Sequence, residues 1–198
     1  AVMFNPEFLT EANAVNDFKN QDRIVIGTPR QEWTRKAAAE AIALNKQDWN
    51  PAILVNSVYS LSFPNVPYVE LPATTAELVK YTANTFLATK VSFANEIYQI
   101  CQALNVDYDQ MIGAAKLDKR LGDSHWKVPG PMLADDGSGK LLPGWAGSCF
   151  VKDVNALRVV ADKLNVDTKV LDAAWEKNLE VRPERDWENL KGRAVSNE

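Results

Sequence analysis

A cysteine at the end of a glycine-rich segment is the residue most suited to act as a nucleophile. Cys149 follows the sequence Gly-Trp-Ala-Gly-Ser at positions 144–148 and stands at the predicted start of a helix. The unpaired amides at a helix start favour negative charge and therefore the reactive thiolate. Asp153 lies one turn further on, on the same helical face. The alternative for any cysteine is a small buried apolar group, and we expect Cys101 to be one.

Two further pairs of polar residues have spacings that could support catalysis. Lys80 and Asn84 share a face near the start of a predicted long helix, where two donors could hold an oxyanion. A solvated helix face explains the same spacing, and the spacing alone favours that interpretation. Glu7 and Glu11 form a similar acidic pair, which carries little weight by itself. His125 lies in a proline-rich loop and is expected to be a surface residue rather than a base.

The first 75 residues are predicted to form a β-α-β arrangement. An apolar run at 23–27 predicts a buried strand, and Thr28 followed by Pro29 predicts the start of a helix that reaches about residue 44. A second short strand is predicted at 66–71. Asn50 and Pro51 break the pattern between the helix and this strand.

From residue 74 onward the sequence predicts helices. Thr74 and Glu77 have the spacing of a capping box, and one helix is expected over 76–104. A short helix is expected over 107–116, then a long loop over 122–147. Two more helices are expected, one from about Ser148 and one capped by Asp167. The polar end of the chain, 182–198, is expected to be a loosely held tail.

Composition excludes several function classes. The 198 residues carry a net charge of −4 with both signs mixed, whereas a nucleic-acid-binding protein would carry a basic stripe. No apolar stretch is long enough for a membrane span and no signal peptide is visible, so we expect a cytoplasmic protein. One histidine and two cysteines are too few for a typical zinc site or a disulfide framework, and no metal is expected.

Four segments, in order along residues 5–178, together match one family. They are NPEFLTE at 5–11, the helical segment 76–96 that contains Lys80 and Asn84, DKRLG at 118–122 and GSCFVKD at 147–153. These resemble, respectively, the NPEFLxE segment, the central-helix signature, the DxR(I/L)G element and the GGSCFPKD segment of the nucleotide-sugar 6-dehydrogenases, the UDP-glucose and GDP-mannose dehydrogenases. We therefore identify a resemblance to the end of that family's NAD domain plus its central helical domain.

The resemblance implies a fold that is mainly α. The expected domains are a short β-α-β remnant of a Rossmann-type NAD domain at 1–75, a central helical domain with a long helix at 76–178, and the polar tail at 179–198. The resemblance also implies a homodimer formed through the long helix.

The activity implied is the oxidation of a nucleotide-sugar primary alcohol, with UDP-glucose as the first candidate, to the carboxylate in two hydride transfers to NAD. Cys149 would attack the intermediate aldehyde to give a thiohemiacetal and then a thioester. Lys80 and Asn84 would stabilise the oxyanion, Asp153 would support Lys80 and a water, and Glu11 would be the general base for hydrolysis. The substrate-binding residues implied are Glu7, Phe8, Leu9, Arg120 from the partner subunit, Gly144 and Gly147.

Several departures from the family pattern leave alternatives open. Ala146 stands where the family usually has glycine, Val151 replaces a common proline, and the sequence contains no GxGxxG loop for the cofactor phosphates. The NAD domain could come from a separate chain, or the sequence could be a truncated fragment. A helical dimerisation or sugar-nucleotide-binding module without catalysis is the alternative function. A β-hydroxyacid dehydrogenase ranks below both, because those enzymes lack such a cysteine.

Overall fold

The chain forms two units, Ala1–Lys80 and Tyr81–Glu198. A computed structural model describes residues 3–9, 13–29, 51–131 and 139–195. The helix predicted over 29–44 therefore lies outside the described residues, and so does Glu11. The division between the units falls inside the predicted long helix, and the functional roles assigned to the three predicted domains stay predictions.

The first unit contains a pair of parallel strands. Strand β1 (Ile24–Thr28) pairs with β2 (Tyr68–Pro72), with Ile24 opposite Tyr68, which confirms both predicted strands. Two parallel neighbouring strands need a crossover connection. A helix in this connection begins at Pro51, where the sequence predicted a break in the pattern. Helix α1 (Ala14–Lys19) precedes β1, and α2 (Pro51–Ser62) lies in the crossover. Proline is favoured at a first helical position because it has no N–H to satisfy there.

Strand β1 is the buried centre of this unit. Ile24, Val25 and Ile26 are all buried, as expected for a strand covered on both faces. Phe4 forms an antiparallel bridge to Gly27, with backbone N···O distances of 2.9 and 2.6 Å, and so holds the segment before the predicted NPEFL motif against β1. A Cβ at Gly27 would lie 2.9 Å from Ala73, so only glycine allows this close packing.

The long helix is confirmed. Helix α3 (Ala73–Leu104) has 32 residues, a length of about 48 Å at the usual rise per residue. It begins directly after Pro72 with no connecting loop, so Thr74 lies inside the first turn and the prediction that it caps the helix is wrong. The mainly α fold class is likewise confirmed.

The second unit packs around two apolar clusters. The tryptophan cluster combines residues of α3, α5 (Ser148–Lys163) and the loops beside them: Ala88, Val91, Trp145, Ala146, Val151, Val154 and Trp187. The tyrosine cluster surrounds α4 (Tyr108–Ala115) and contains Ala94, Cys101, Tyr108, Ile112, Trp126 and Val128. Cys101 is therefore a core residue, as predicted.

The remaining helices differ slightly from the prediction. Helix α5 begins at Ser148 as expected, and a 3-10 helix at Lys119–Leu121 precedes the long loop. Helix α6 (Lys169–Val181) has Thr168, not Asp167, at its N-cap position. The predicted cap at Asp167 is wrong by one residue, because its carboxylate instead pairs with Lys169 at 2.7 Å.

The end of the chain is packed, so the expectation of a loosely held tail is wrong for residues 182–195. Arg182 is 0% exposed and Trp187 is 2% exposed. Burial of the guanidinium is possible because Nε and Nη2 both donate to the Asp186 carboxylate at 2.7 Å. The high charge content of this segment led to the wrong prediction of a loose tail, because the Arg182 guanidinium and the Asp186 carboxylate pair with each other. No helix among the described residues has the length and apolar character needed to span a bilayer.

Candidate active site

Cys149 occupies the position predicted for it. It is the second residue of α5, and its side chain is half-buried, with Sγ 3.9 Å from Oγ of Ser148. The N-cap of this helix is Gly147 at φ 74°, a conformation that favours glycine. Since Gly147 has no side chain to cap the helix, the first amides of α5 remain available to a negatively charged group near Cys149.

A polar cluster, formed by the buried Asn84 and Asp153 and the more exposed Lys152, lies one helical turn from Cys149. Nδ2 of Asn84 donates to Oδ2 of Asp153 at 2.5 Å, and Nζ of Lys152 donates to Oδ1 of the same carboxylate. Asp153 is 1% exposed. A buried carboxylate is stable only when it is paired and hydrogen-bonded, and these two donors provide both. The structure thus brings together two predicted catalytic residues, Asn84 and Asp153.

Lys152 was not predicted as a site residue, although it lies in the GSCFVKD segment that carries the resemblance. Burial is the largest single influence on this pKa and opposes the charge of the ammonium, but the hydrogen bond to Asp153 and the attraction of negative charges together outweigh it, so the pKa of Lys152 is raised above its ordinary value. The nearby Tyr81 and Cys149 side chains act in the same direction on this pKa. Lys152 is therefore the cation that pairs with Asp153 in this unit, while the predicted support of Lys80 by Asp153 stays a prediction.

In the first unit, Lys80 contacts the predicted substrate-binding segment. Nζ of Lys80 donates to the backbone oxygen of Glu7 and lies 5.7 Å from the ring centroid of Phe8. The guanidinium of Arg23 lies 4.0 Å from the same centroid. Two cations within cation–π distance of one aromatic ring restrain the Phe8 side chain. Beside them is a cleft of about 260 Å³, whose lining includes Asn5, Pro6, Glu7, Phe8, Leu9 and Arg23.

Gly144 and Gly147 also occupy positions that demand glycine. Gly144 has φ 72°, and a Cβ there would lie 2.6 Å from Oδ1 of Asn178. Arg120 is on the exposed 3-10 helix, where Nη2 bonds to Asp118 at 2.6 Å. That bond lowers the pKa of the Asp118 carboxyl and raises the pKa of the guanidinium. The substrate-binding role of Arg120 stays a prediction.

His125 is not the surface residue that the sequence suggested. Its ring lies 5.8 Å from that of Phe150, the neighbour of Cys149, and its Nδ1 is buried without a hydrogen-bond partner among the described residues. Burial, assisted by the charge of Lys90, lowers the pKa of His125. The proline-rich composition of the loop did not reveal this packing, because the aromatic partner lies 25 residues further along the chain.

Comparison with known proteins identifies the family. The model of the UDP-glucose/GDP-mannose dehydrogenase family, central domain, matches residues 74–180, more than half of the chain. The chain belongs to this family. The model of the same family's NAD binding domain matches residues 1–44.

Among individual family members, the UDP-glucose 6-dehydrogenase of Rickettsia bellii is 34% identical over 179 residues, covering 90% of this chain and 34% of the relative. UDP-glucose 6-dehydrogenase TuaD of Bacillus subtilis is 33% identical and covers 91% of this chain and 32% of the relative. A solved UDP-glucose dehydrogenase from Pyrobaculum islandicum superposes with a TM-score of 0.67 at 32% identity, covering 92% of this chain and 34% of that one. The chain thus spans about a third of the length of the curated relatives it matches.

Membership of the UDP-glucose/GDP-mannose dehydrogenase family confirms the resemblance on which the site predictions depend. Glu11 falls outside the described residues. The individual roles of Cys149, Lys80, Asn84, Asp153 and Glu11 stay predictions. The buried residues behind the Cys149 loop, chiefly Asn178 and Arg182, were not predicted, because their partners in the loop lie far from them in the sequence.

Proposed function

We propose that this chain provides the nucleophile and oxyanion-stabilising groups of a UDP-glucose 6-dehydrogenase, which oxidises the sugar primary alcohol to the carboxylate with NAD as hydride acceptor. The observation that carries the proposal is the polar cluster of Asn84, Lys152 and Asp153 one turn from a half-buried cysteine at a helix start. A thiol, a cation and an amide donor placed in this way suit covalent catalysis at a carbonyl carbon.

The covalent step follows from the chemistry of these groups. The Cys149 thiolate attacks the aldehyde carbon, a C–S bond forms, and the carbonyl π electrons move to the oxygen, which takes up a proton to give a thiohemiacetal. The Asn84 amide has two N–H donors, of which one is used on Asp153. The second is suited to stabilise the developing oxyanion. The Lys152 ammonium and the first amides of α5 are suited to stabilise negative charge near Cys149.

Hydrolysis ends the cycle. Once the thiohemiacetal has been oxidised to a thioester, a water adds to the carbonyl carbon, the C–S bond breaks, and the Cys149 sulfur leaves as the thiolate. Family resemblance assigns the general base of this step to Glu11. The Glu7 to Leu9 segment beside its cleft would contact the sugar nucleotide, with Lys80 held against it.

NAD is the hydride acceptor implied by the family, and the glycine-rich loop that usually holds its pyrophosphate is not found in this sequence. The sequence has no GxGxxG, and among the described residues Gly27 of β1 is so closely covered that an added Cβ would lie 2.9 Å from Ala73 and Ala76, so no phosphate group fits against it. A separate NAD-binding chain would then supply the rest of the NAD site.

Calorimetric titration of the chain with UDP-glucose and, separately, with NAD tests the proposal. We expect saturable heat with UDP-glucose in the wild type and in Cys149→Ala, because the thiol is needed for chemistry rather than for binding. GDP-mannose in place of UDP-glucose tests the choice of nucleotide sugar. Absence of binding to every nucleotide sugar would contradict the proposal. Tight NAD binding would show that the chain completes its own cofactor site.

One reason to consider a non-catalytic sugar-nucleotide-binding module is Ala146, which stands where the family usually has glycine. The structure places Ala146 in the tryptophan cluster at 6% exposure, so its methyl group packs in the core. This observation favours the enzyme, since the departure from glycine is accommodated by core packing. Sugar-nucleotide binding without any covalent adduct at Cys149 would instead support the binding module.

A further inference from the structure

Four buried polar side chains bind the loop that leads into Cys149. We call them the loop clamp: Ser92 and Asn95 of α3, Asn178 of α6 and Arg182 just after it. Each bonds to a residue between Pro143 and Trp145, only a few residues before Cys149. Their exposures are 3%, 2%, 0% and 0%, respectively. None of them belongs to the groups assigned above to bond making or breaking.

Asn178 makes the most specific contact of the loop clamp. Its Oδ1 accepts from the backbone N of Trp145 at 2.7 Å, and its Nδ2 donates to the backbone O of Trp145 at 2.9 Å. The side-chain amide therefore satisfies both polar groups of a single residue, as a neighbouring strand would. Such two-point contacts fix the orientation of the peptide groups as well as their position.

The other three members restrain the same short segment. Nη1 of Arg182 donates to Pro143 O at 3.1 Å, while Asp186 holds the rest of the guanidinium. Asn95 accepts from Gly144 N at 3.3 Å. Ser92 accepts from the Trp145 indole at 2.9 Å and donates to Ala174 O at 2.7 Å.

Packing closes the remaining space around the loop. A Cβ at Gly144 would meet Asn178 Oδ1 at 2.6 Å, Val181 at 3.1 Å and Arg182 at 3.3 Å. The loop also has little length over which to relax, because only Ala146 and Gly147 separate Trp145 from the first residue of α5. Apolar residues of similar size could fill this core without buried charge, so the polar contacts confer a defined geometry rather than added burial.

We infer that Asn178 is a positioning residue for Cys149: by holding both polar groups of Trp145, and with Arg182 behind it, it fixes the start of α5 and the orientation of the nucleophile. The inference rests on the proposed function only in that Cys149 is taken as the nucleophile. Nucleophilic attack depends strongly on small displacements of the reacting group, which gives such a distant contact a catalytic consequence.

Amide hydrogen exchange and cysteine alkylation of the 198-residue chain test the inference. In Asn178→Ala we expect exchange at the Trp145 amide to accelerate about tenfold, the factor for loss of roughly one hydrogen bond. We also expect the iodoacetamide alkylation rate of Cys149, followed by peptide mass spectrometry, to change by about the same factor. Alkylation of buried Cys101 serves as the internal reference for general loosening of the fold.

Tyr108→Phe is the matched control. It removes a buried hydrogen bond from Tyr108 to Trp126 O at 2.6 Å in the other cluster of the same unit. The control should lower the unfolding midpoint without altering exchange at Trp145 or alkylation at Cys149. Equal changes in the control and in Asn178→Ala would overturn the inference, because they would show that any loss of stability affects Cys149.

Two further variants keep the test decisive if Asn178→Ala folds poorly. Asn178→Asp keeps an acceptor for the Trp145 N–H and loses the donor to Trp145 O, so protection of that amide should largely return. Ser92→Ala removes the indole contact with little change in volume and should shift Cys149 alkylation in the same direction as Asn178→Ala. Unchanged alkylation in all three folded variants would overturn the inference. Neither readout needs a sugar nucleotide, so failure of UDP-glucose binding would count against the proposed function alone.

Discussion

Asn84 and Asp153 are joined by a 2.5 Å hydrogen bond between two buried side chains that lie 69 residues apart in the sequence. The bond links α3 to α5 and leaves the Asp153 carboxylate shared between an amide and the Lys152 ammonium. The contact therefore couples the stability of the second unit to the arrangement of groups beside Cys149.

The first prediction concerns loss of this amide. Asn84→Ala should lower the free energy of unfolding by about 1–3 kcal/mol, since a buried carboxylate would lose one of its hydrogen-bond donors. Urea unfolding measures the change. Gln99→Ala is the control on the same helix, because its contact with Glu180 is exposed, and it should change the free energy by about 0.5 kcal/mol or less. Equal losses in the two variants would contradict the account of Asp153.

The raised pKa of Lys152 predicts a dependence of stability on alkaline pH. A raised folded-state pKa contributes stability that is fully present below the ordinary lysine value of 10.5 and is lost as pH rises through the higher folded-state value. Unfolding free energies of the wild type and Lys152→Met should therefore converge as the pH rises above that ordinary value. Lys163→Met, on an exposed position of α5, is the control and should track the wild type throughout. Parallel curves for wild type and Lys152→Met would show that the ion pair contributes no stability.

The single histidine gives an unambiguous titration by proton NMR. Burial beside Phe150 lowers the pKa of His125, and the Lys90 charge adds to the effect, so its imidazole should titrate below the ordinary value of 6.5. Lys90→Met should raise the pKa of His125 toward 6.5. Lys127→Met, from the same loop as His125, is the control. A wild-type pKa at or above 6.5 would contradict the burial of the His125 ring beside Phe150.

Exposed apolar residues on α3 support the proposed homodimer. Phe86, Phe93 and Ile100 recur every seven residues and are 66%, 51% and 46% exposed. A regular apolar stripe of this kind is typical of a helix that packs against a second helix. Phe86→Glu should therefore shift the sedimentation mass from dimer to monomer. Leu117→Glu, off the stripe at 83% exposure, is the control. A monomeric wild type would refute the dimer.

The sequence predicted the parts of the fold whose signals are local. The strand at 24–28, the long helix and the start of α5 at Ser148 each carry a periodic apolar pattern or a glycine at a boundary, and all were found. Helix α2 was not predicted, since Pro51 marked a break and the apolar side chains that follow are not confined to a buried face. Ile53, Leu54, Val58 and Leu61 are each at least 60% exposed.

The chemistry of the site was predictable only where residues lie in family motifs. Cys149 and Asp153 are four apart on one helix, and their placement could be anticipated from that spacing. Asn178 and Arg182 could not, because their partners lie 33 and 39 residues earlier, and a polar carboxy-terminal segment resembles a solvated surface. Long-range pairing of buried polar groups leaves no periodic signal in a single sequence.

The formation of a thiohemiacetal at Cys149 tests the central claim most directly. The probe is the UDP-glucose derivative that has an aldehyde in place of the primary alcohol, labelled with carbon-13 at the aldehyde carbon. It can be mixed with the chain and followed by carbon NMR, and no hydride acceptor is required. We predict that the aldehyde signal is replaced by a thiohemiacetal signal in the wild type and in Cys101→Ala, but not in Cys149→Ala. Binding of the labelled aldehyde to the folded wild type without formation of an adduct would contradict the assignment of Cys149 as the nucleophile. An adduct that still forms in Cys149→Ala would contradict it as well.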